Sequence, residues 1–183
     1  MLDPATVESI GALDPVAFRG RAYRHLSVTQ SPIAGEGARV HGGRWNPPLS
    51  FPTLYLAIDL PTVLAELRRT ARRFAIQPED MLPRAVYRFD LKLSMCLDLH
   101  DPATRAAVGL SLDAIRSDDP RRCQEVAMAA HHLGFESVLA PSATSVGATI
   151  AVFADRLQPD SRLVPQHFEA WTALPRLGVT ESP

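Results

Sequence analysis

The sequence predicts an α+β fold, a single domain with a central mixed sheet flanked by helices. Three observations carry that expectation. Short apolar or alternating runs of strand length outnumber the amphipathic helical stretches, and both are interleaved along the chain. The crossovers between them are irregular in length, which argues against a regular doubly wound sheet. A length of 183 residues suits one domain with its own core, and no internal repeat or low-complexity stretch divides it.

The elements follow in order. Residues 3–13 read as a short helix ending near Asp14–Pro15. Residues 22–26 alternate weakly as a strand, and residues 31–43 are polar with four glycines, which predicts a loop. Residues 53–58, TLYLAI, form a buried strand by length and composition. Asp59 stands where a helix N-cap belongs, with Pro61 in the first turn. Leu60, Val63, Leu64, Leu67, Ala71 and Phe74 then fall on one helical stripe about 100° wide, leaving Arg68, Arg69, Arg72 and Arg73 on the remaining surface. Residues 84–91 alternate as a strand. Asp101 caps a further short helix, since DPAT repeats the Asp-Pro opening, and residues 120–133 are helical. Residues 137–140, 149–153 and 162–168 supply the last strands.

Composition excludes several functions. The 19 basic and 20 acidic residues nearly cancel, so nothing recommends a nucleic-acid backbone as partner. Cys96 and Cys123 have no CxxC spacing and make neither a disulfide framework nor a zinc site. His131 and His132 are adjacent, so on a helix they diverge, and no metal is expected. No apolar run approaches the ~20 residues of a membrane span. The first ten residues lack a basic stretch followed by an apolar one, so no signal peptide is expected and the protein is expected to be cytoplasmic. Neither G-x-G-x-x-G nor a P-loop is present.

The densest chemical stretch is residues 35–48, GEGARVHGGRWNPP. Its glycines permit close backbone approach to a ligand, Arg44 offers a planar fork to phosphate or carboxylate, Trp45 a wall, and Asn46 two-way hydrogen bonding. The same residues also suit a tight loop whose arginine meets a surface carboxylate while the tryptophan fills the core. Tyr55, in a strand buried by pattern, is either a satisfied core phenol or part of a site. Glu66 lies roughly 110° from the centre of the apolar stripe by helical spacing. It therefore flanks the buried face, and Arg69 or Arg73 is an alternative partner for it. Arg24 suits an edge-strand charge equally well.

RAYRH at 21–25, GEGARVHGGRWNPP at 35–48, TLYLAI at 53–58 and LAEL at 64–67, in that order, resemble the RES domain. The hallmark of that family is a GGRWN loop followed by a tyrosine-bearing strand and a glutamate-bearing helix. APSAT at 140–144 resembles its Pro-Ser element, which makes Ser142 the named serine, and VGATIAVF at 146–153 its closing strand. The sequence departs from many relatives at Ala143, Thr144 and Gly147-Ala148, where a basic residue and an asparagine are common. Residues 108–119 with Cys123-Gln124 resemble the mycobacterial branch, known for NAD phosphorolysis. The motif-bearing part spans about 20–156, with 157–183 a C-terminal strand and tail of one RES domain.

The resemblance implies a fold similar to ADP-ribosyltransferases and diphtheria toxin. It further implies a toxin of a bacterial type II toxin–antitoxin pair that degrades NAD+, with phosphate (a phosphorylase) or water (a glycohydrolase) as acceptor. A mono-ADP-ribosyltransferase acting on a protein and a non-enzymatic binding module are the alternatives. By motif position Glu66 is the catalytic carboxylate. Arg24 and Arg44 grip the phosphates, Tyr55 lines the nicotinamide ribose end, and Gly43, Trp45, Asn46 and Ser142 complete the binding surface. No cofactor is implied beyond NAD+ as substrate and inorganic phosphate as co-substrate. The implied partner is an Xre-type antitoxin covering the Gly42–Asn46 loop.

The chemistry suits this residue set. Breaking the bond between ribose and a cationic nicotinamide nitrogen releases a neutral leaving group, so no general acid is required. The transition state resembles an oxocarbenium ion, which one carboxylate can stabilise.

Overall fold

A computed structural model describes residues 2–176 of the chain. Its elements are α1 (Pro4–Gly11), β1 (Val16–Ser27), α2 (Glu36–His41), β2 (Thr53–Ala57), α3 (Leu60–Arg73), β3 (Arg84–Asp98), α4 (Pro102–Ala107), α5 (Leu112–Arg116), α6 (Arg121–His132), β4 (Ser137–Pro141), β5 (Ala148–Phe153) and β6 (Arg162–Trp171), with a 3-10 turn at Pro78–Met81. The last seven residues of the expected C-terminal tail lie outside the described residues.

Local chemistry sets the helix starts. Asp3, Asp59 and Asp101 each accept the backbone N–H three residues on, from Thr6 (3.0 Å), Thr62 (2.7 Å) and Thr104 (2.8 Å). Each of these caps is followed by proline in the first turn, where its missing N–H costs no helical bond. The helix after Asp59 ends at Arg73 rather than including Phe74, because Ala75 takes a positive φ of 54° and turns the chain. Phe74 is consequently 67% exposed, a correction to its place on the buried stripe. The glycine-bearing stretch 31–43 is likewise not all loop, since α2 forms within it and ends at Gly42 with φ 72°.

The sheet runs β1-β2-β5-β4-β3-β6, and β1 also pairs with β3. Five strands therefore close into a barrel-like ring, with β6 added outside β3. The sheet is mixed, since β3 and β4 are parallel and the remaining pairs antiparallel. Leu54 and Leu56 of β2, Ile150 and Val152 of β5, and Phe89, Leu91 and Leu93 of β3 fill the interior. The outward faces are covered as well. Tyr55, Ala151, Phe153 and Val138 pack toward α6 and α1, while Ala57 and Val86 pack against α3 through Val63, Leu64 and Leu67. Burial on both faces explains why TLYLAI reads as a continuous apolar run.

β1 and β3 are much longer than their sequence signals, which covered only 22–26 and 84–91. Their added residues carry Arg19, Arg21 and Lys92 on an outer face, and such polar positions conceal a strand whose other face is buried. The ring closes through a single pair, Tyr23 with Ala57. Beyond it β1 continues along β3 to Ser27 while β2 follows β5, so the two strands diverge. The gap they leave is the site described next.

Candidate active site

A cleft of about 400 Å³ opens where β1 and β2 diverge, lined by Tyr23, Arg24 and His25 on one side and Tyr55, Leu56 and Ala57 on the other. Gly42, Gly43, Arg44 and Trp45 form its rim, and Glu66, Arg69, Thr70 and Arg73 project from α3. A second, larger lobe of about 770 Å³ adjoins it and shares Gly43, Arg44, Glu66, Arg69, Thr70 and Arg73.

The GGRWN loop is a tight turn in which the Gly43 N–H donates to the Asn46 carbonyl (2.8 Å). Tyr55 braces it from below. Its hydroxyl accepts from the Trp45 N–H (2.8 Å) and donates to Asn46 Oδ1 (2.7 Å), while Asn46 Nδ2 donates to the Ala38 carbonyl (2.7 Å). Gln124 of α6 closes the far side by donating to the Gly43 carbonyl (2.8 Å). Gly43 must be glycine, because a Cβ there would collide with the Tyr55 hydroxyl and ring. The Tyr55 hydroxyl and the Asn46 amide are engaged in holding the loop, and the Trp45 side chain is 1% exposed in the core between the sheet and α6. Their placement is architectural, and it aims Arg44 at the cleft. Burial pushes the Tyr55 phenol well above its usual value, so it remains a neutral donor. Tyr55→Phe is expected to leave the Trp45 N–H and Asn46 Oδ1 unpaired and to destabilise the fold by about 1–3 kcal/mol in denaturant titrations.

The arginines of the rim have neutral partners. Arg24 Nη1 donates to the Pro32 (2.9 Å) and Ala34 (3.1 Å) carbonyls, and burial lowers its pKa to about 10. Arg44 Nη2 donates to the Ser117 carbonyl (2.7 Å), Nη1 lies 3.9 Å from Cys123 Sγ, and its buried Nε has no partner. Among the described residues neither Arg24 nor Arg44 has a carboxylate within ion-pair distance. Two cations held without counter-anions in one cleft suit an anionic ligand.

Among the described residues, Glu66 is the one carboxylate lining the smaller lobe. Its Oε1 accepts from Ser142 Oγ (2.8 Å). That hydrogen bond uses the only proton of the serine, so Thr144 Oγ1 at 2.6 Å is the donor to Ser142 Oγ, joined by the Thr144 N–H at 3.0 Å. The relay Thr144→Ser142→Glu66 fixes the carboxylate. The turn carrying it is docked on α3, since Thr62 Oγ1 donates to the Val146 carbonyl (3.2 Å) and a Cβ on Gly147 would collide with Thr62. Ser142 is fully buried and reaches the cleft through its hydrogen bond to the Glu66 carboxylate. Ser142→Ala is expected to lower turnover about ten-fold with little change in substrate KM, since one positioning bond is lost.

Residues 18–173 match the RES domain family. The chain belongs to the RES family. Among relatives, the NAD(+) phosphorylase MbcT of Mycobacterium tuberculosis and that of Mycobacterium bovis are each 36% identical over 175 residues, covering 94% of this chain and of the relative. The crystal structure of the M. tuberculosis MbcT–MbcA toxin–antitoxin complex contains a similar chain, with a TM-score of 0.80, 34% identity, and coverage of 92% of this chain and 94% of that one.

The RES match spans every residue singled out from the sequence, and the fold brings Arg24, Arg44, Tyr55 and Glu66 to one cleft. Sequence reasoning missed His25, Thr144 and the loop-bracing role of Gln124. His25 Nδ1 accepts from Arg84 Nε (3.1 Å), and burial together with the Arg84 and Arg24 charges lowers its pKa to about 3, so the ring is neutral with its proton on Nε2. The partners of His25 and Gln124 lie far away in sequence, and Thr144, two residues from Ser142, acquires its role only because Ser142 meets the distant Glu66. Among the described residues, no helix is long and apolar enough to cross a membrane, and no three His, Cys, Asp or Glu side chains are grouped as a metal site.

Proposed function

We propose that this protein is a cytoplasmic toxin of a toxin–antitoxin pair that degrades NAD+ by phosphorolysis, with water as the lesser acceptor. The observation that carries the reading is Glu66, held by Ser142 in a cleft whose Arg24 and Arg44 lack carboxylate partners. Support comes from the 36% identity, across nearly the whole chain, to proteins named as NAD(+) phosphorylases.

Arg24 and Arg44 bind the pyrophosphate of the dinucleotide, as planar cations with donors to spare. Tyr23, Leu56 and Ala57 offer the flat nicotinamide an apolar wall. Glu66 hydrogen-bonds the ribose hydroxyls and stabilises the positive charge that develops as the C1″–N bond lengthens. Nicotinamide leaves with the bonding electron pair as a neutral molecule. A phosphate oxygen then forms the C1″–O bond, giving ADP-ribose-1″-phosphate. Tyr55, Asn46 and Gly43 act through the loop that presents Arg44.

An Xre-type antitoxin that covers the Gly42–Asn46 loop is the proposed restraint. Ile33, Val40 and Leu49, exposed on segments beside that loop, are apolar contacts for such a partner. Incubating the pure protein with NAD+, with and without phosphate, and identifying products tests the activity. Loss of NAD+ with formation of ADP-ribose-1″-phosphate is the expected result, while unchanged NAD+ in both incubations would refute it. Transfer of label from NAD+ to protein would instead indicate an ADP-ribosyltransferase.

A further inference from the structure

We infer that Arg69 and Arg73, with Thr70 between them, form the subsite for the acceptor phosphate, distinct from the cations that hold the dinucleotide. This rests on the phosphorolysis reading above and adds the residues that select the acceptor.

Glu66, Arg69, Thr70 and Arg73 occupy positions i, i+3, i+4 and i+7 of α3, and so form one stripe of that helix. Of the arginines that the sequence left undifferentiated on this helix, Arg69 and Arg73 line both lobes of the cleft, Arg72 lines only the larger one, and Arg68 lines neither. The stripe therefore stands at the junction of the lobes. Arg24 lines only the smaller lobe, whose apolar wall of Tyr23, Leu56 and Ala57 suits the leaving group. The larger lobe opens onto His41, Pro48 and Gln124 and gives an acceptor its own approach to the carbon beside Glu66.

Charge makes the assignment specific. Phosphate is an anion that must come close to the Glu66 carboxylate, and the like-charge repulsion between them has to be offset locally. One and two helical turns from Glu66, Arg69 and Arg73 are suited to that, since arginine side chains are long and present several donors. Both have capacity. Among the described residues Arg73 makes no hydrogen bond or ion pair, and the one partner of Arg69 is the exposed Asp118 at 3.4 Å. The Thr70 hydroxyl adds a neutral donor or acceptor on the same stripe.

The step balances without a general base. The C1″–N bond breaks and its electron pair leaves on neutral nicotinamide. A lone pair on an anionic oxygen of hydrogen phosphate forms the C1″–O bond, and no proton has to move. Water as acceptor would have to lose a proton, so a filled phosphate subsite favours phosphorolysis.

The test compares Arg69→Gln, Arg73→Gln and the double variant with Arg68→Gln as control. KM for phosphate, KM for NAD+ and the ratio of ADP-ribose-1″-phosphate to ADP-ribose are measured. Each cleft substitution is expected to raise KM for phosphate about ten-fold or more and to shift product toward ADP-ribose, with KM for NAD+ essentially unchanged. A raised KM for NAD+ with an unaltered product ratio would place these arginines on the pyrophosphate of the dinucleotide and overturn the inference, as would no change in any of the three. A turnover-independent arm separates this from failure of the parent reading. Inorganic phosphate is titrated into Glu66→Gln protein, followed by calorimetry, with and without the double substitution. Binding lost with the arginines supports the subsite even in a protein that leaves NAD+ intact, and absence of binding overturns it.

Discussion

Glu66→Gln is expected to slow NAD+ consumption by about 10²–10³-fold while leaving the fold intact. The amide is nearly isosteric and its Oε1 still accepts the Ser142 hydroxyl, so the relay from Thr144 is retained. What disappears is the negative charge facing the developing oxocarbenium ion. Nicotinamide release under saturating NAD+ and phosphate is the measurement, with a thermal melt as the control for folding. A variant that keeps a tenth or more of wild-type turnover would remove the carboxylate from the mechanism. The effect belongs in kcat, because a charge that acts on the transition state contributes little to ground-state affinity for an already cationic substrate held by its phosphates.

The largest expected effect on stability lies outside the cleft, at Glu136. This carboxylate is fully buried. Its Oε2 accepts from the Ser94 N–H (2.7 Å), the Ser94 hydroxyl (3.1 Å) and the Met95 N–H (2.8 Å), and its Oε1 from the Gln158 N–H (2.8 Å). Ser94 and Met95 stand where β3 exchanges β6, paired through Lys92, for β4, paired from Cys96. Their N–H groups have left one ladder and not yet joined the next, and the carboxylate takes them instead. Glu136→Gln turns a donor toward those donors and is expected to destabilise the protein by about 2–4 kcal/mol in urea unfolding. Burial pushes the Glu136 pKa up, but the N–H donors from Gln158, Met95 and Ser94 outweigh it and hold the carboxyl below its ordinary value of 4.5. The sign follows from that lowering. The contribution is complete above about 4.5 and is lost as pH falls through the lower native value. The stability gap between wild type and Glu136→Gln should therefore narrow below about pH 4.5, and a gap independent of pH would refute the carboxylate's role.

Much of the local structure was legible in the sequence. The aspartate caps with proline in the first turn at Asp59 and Asp101, the buried TLYLAI strand and the apolar stripe of Val63, Leu64 and Leu67 depend on neighbours within a turn or two, and each stands where its signal placed it. Phe74 failed because a positive φ at the next residue ended the helix, which hydrophobic periodicity does not register. β1 and β3 were read short because their outer faces carry charged side chains at the same positions where partners across the sheet supply the order. In the site, Arg44 and Glu66 were identifiable by residue type and motif. The work of Ser142, Tyr55 and Asn46 was not, since a hydroxyl or amide that lines a ligand surface and one that braces a loop have the same local sequence.

The sequence by itself determined the inventory: one glutamate flanking a helical apolar stripe, arginines on several elements, a glycine-rich turn, and the order of short strands and capped helices. Only the tertiary structure decided that the sheet closes through Tyr23 and Ala57, that β1 and β2 diverge just beyond that pair, and that Arg69 and Arg73, but not Arg68, face the opening. The physical reason is range. Caps, turns and periodicity are set by neighbours a few residues away, whereas strand closure, burial and the choice of hydrogen-bond partner depend on groups as distant as Glu66 and Ser142, which meet only when the chain is folded.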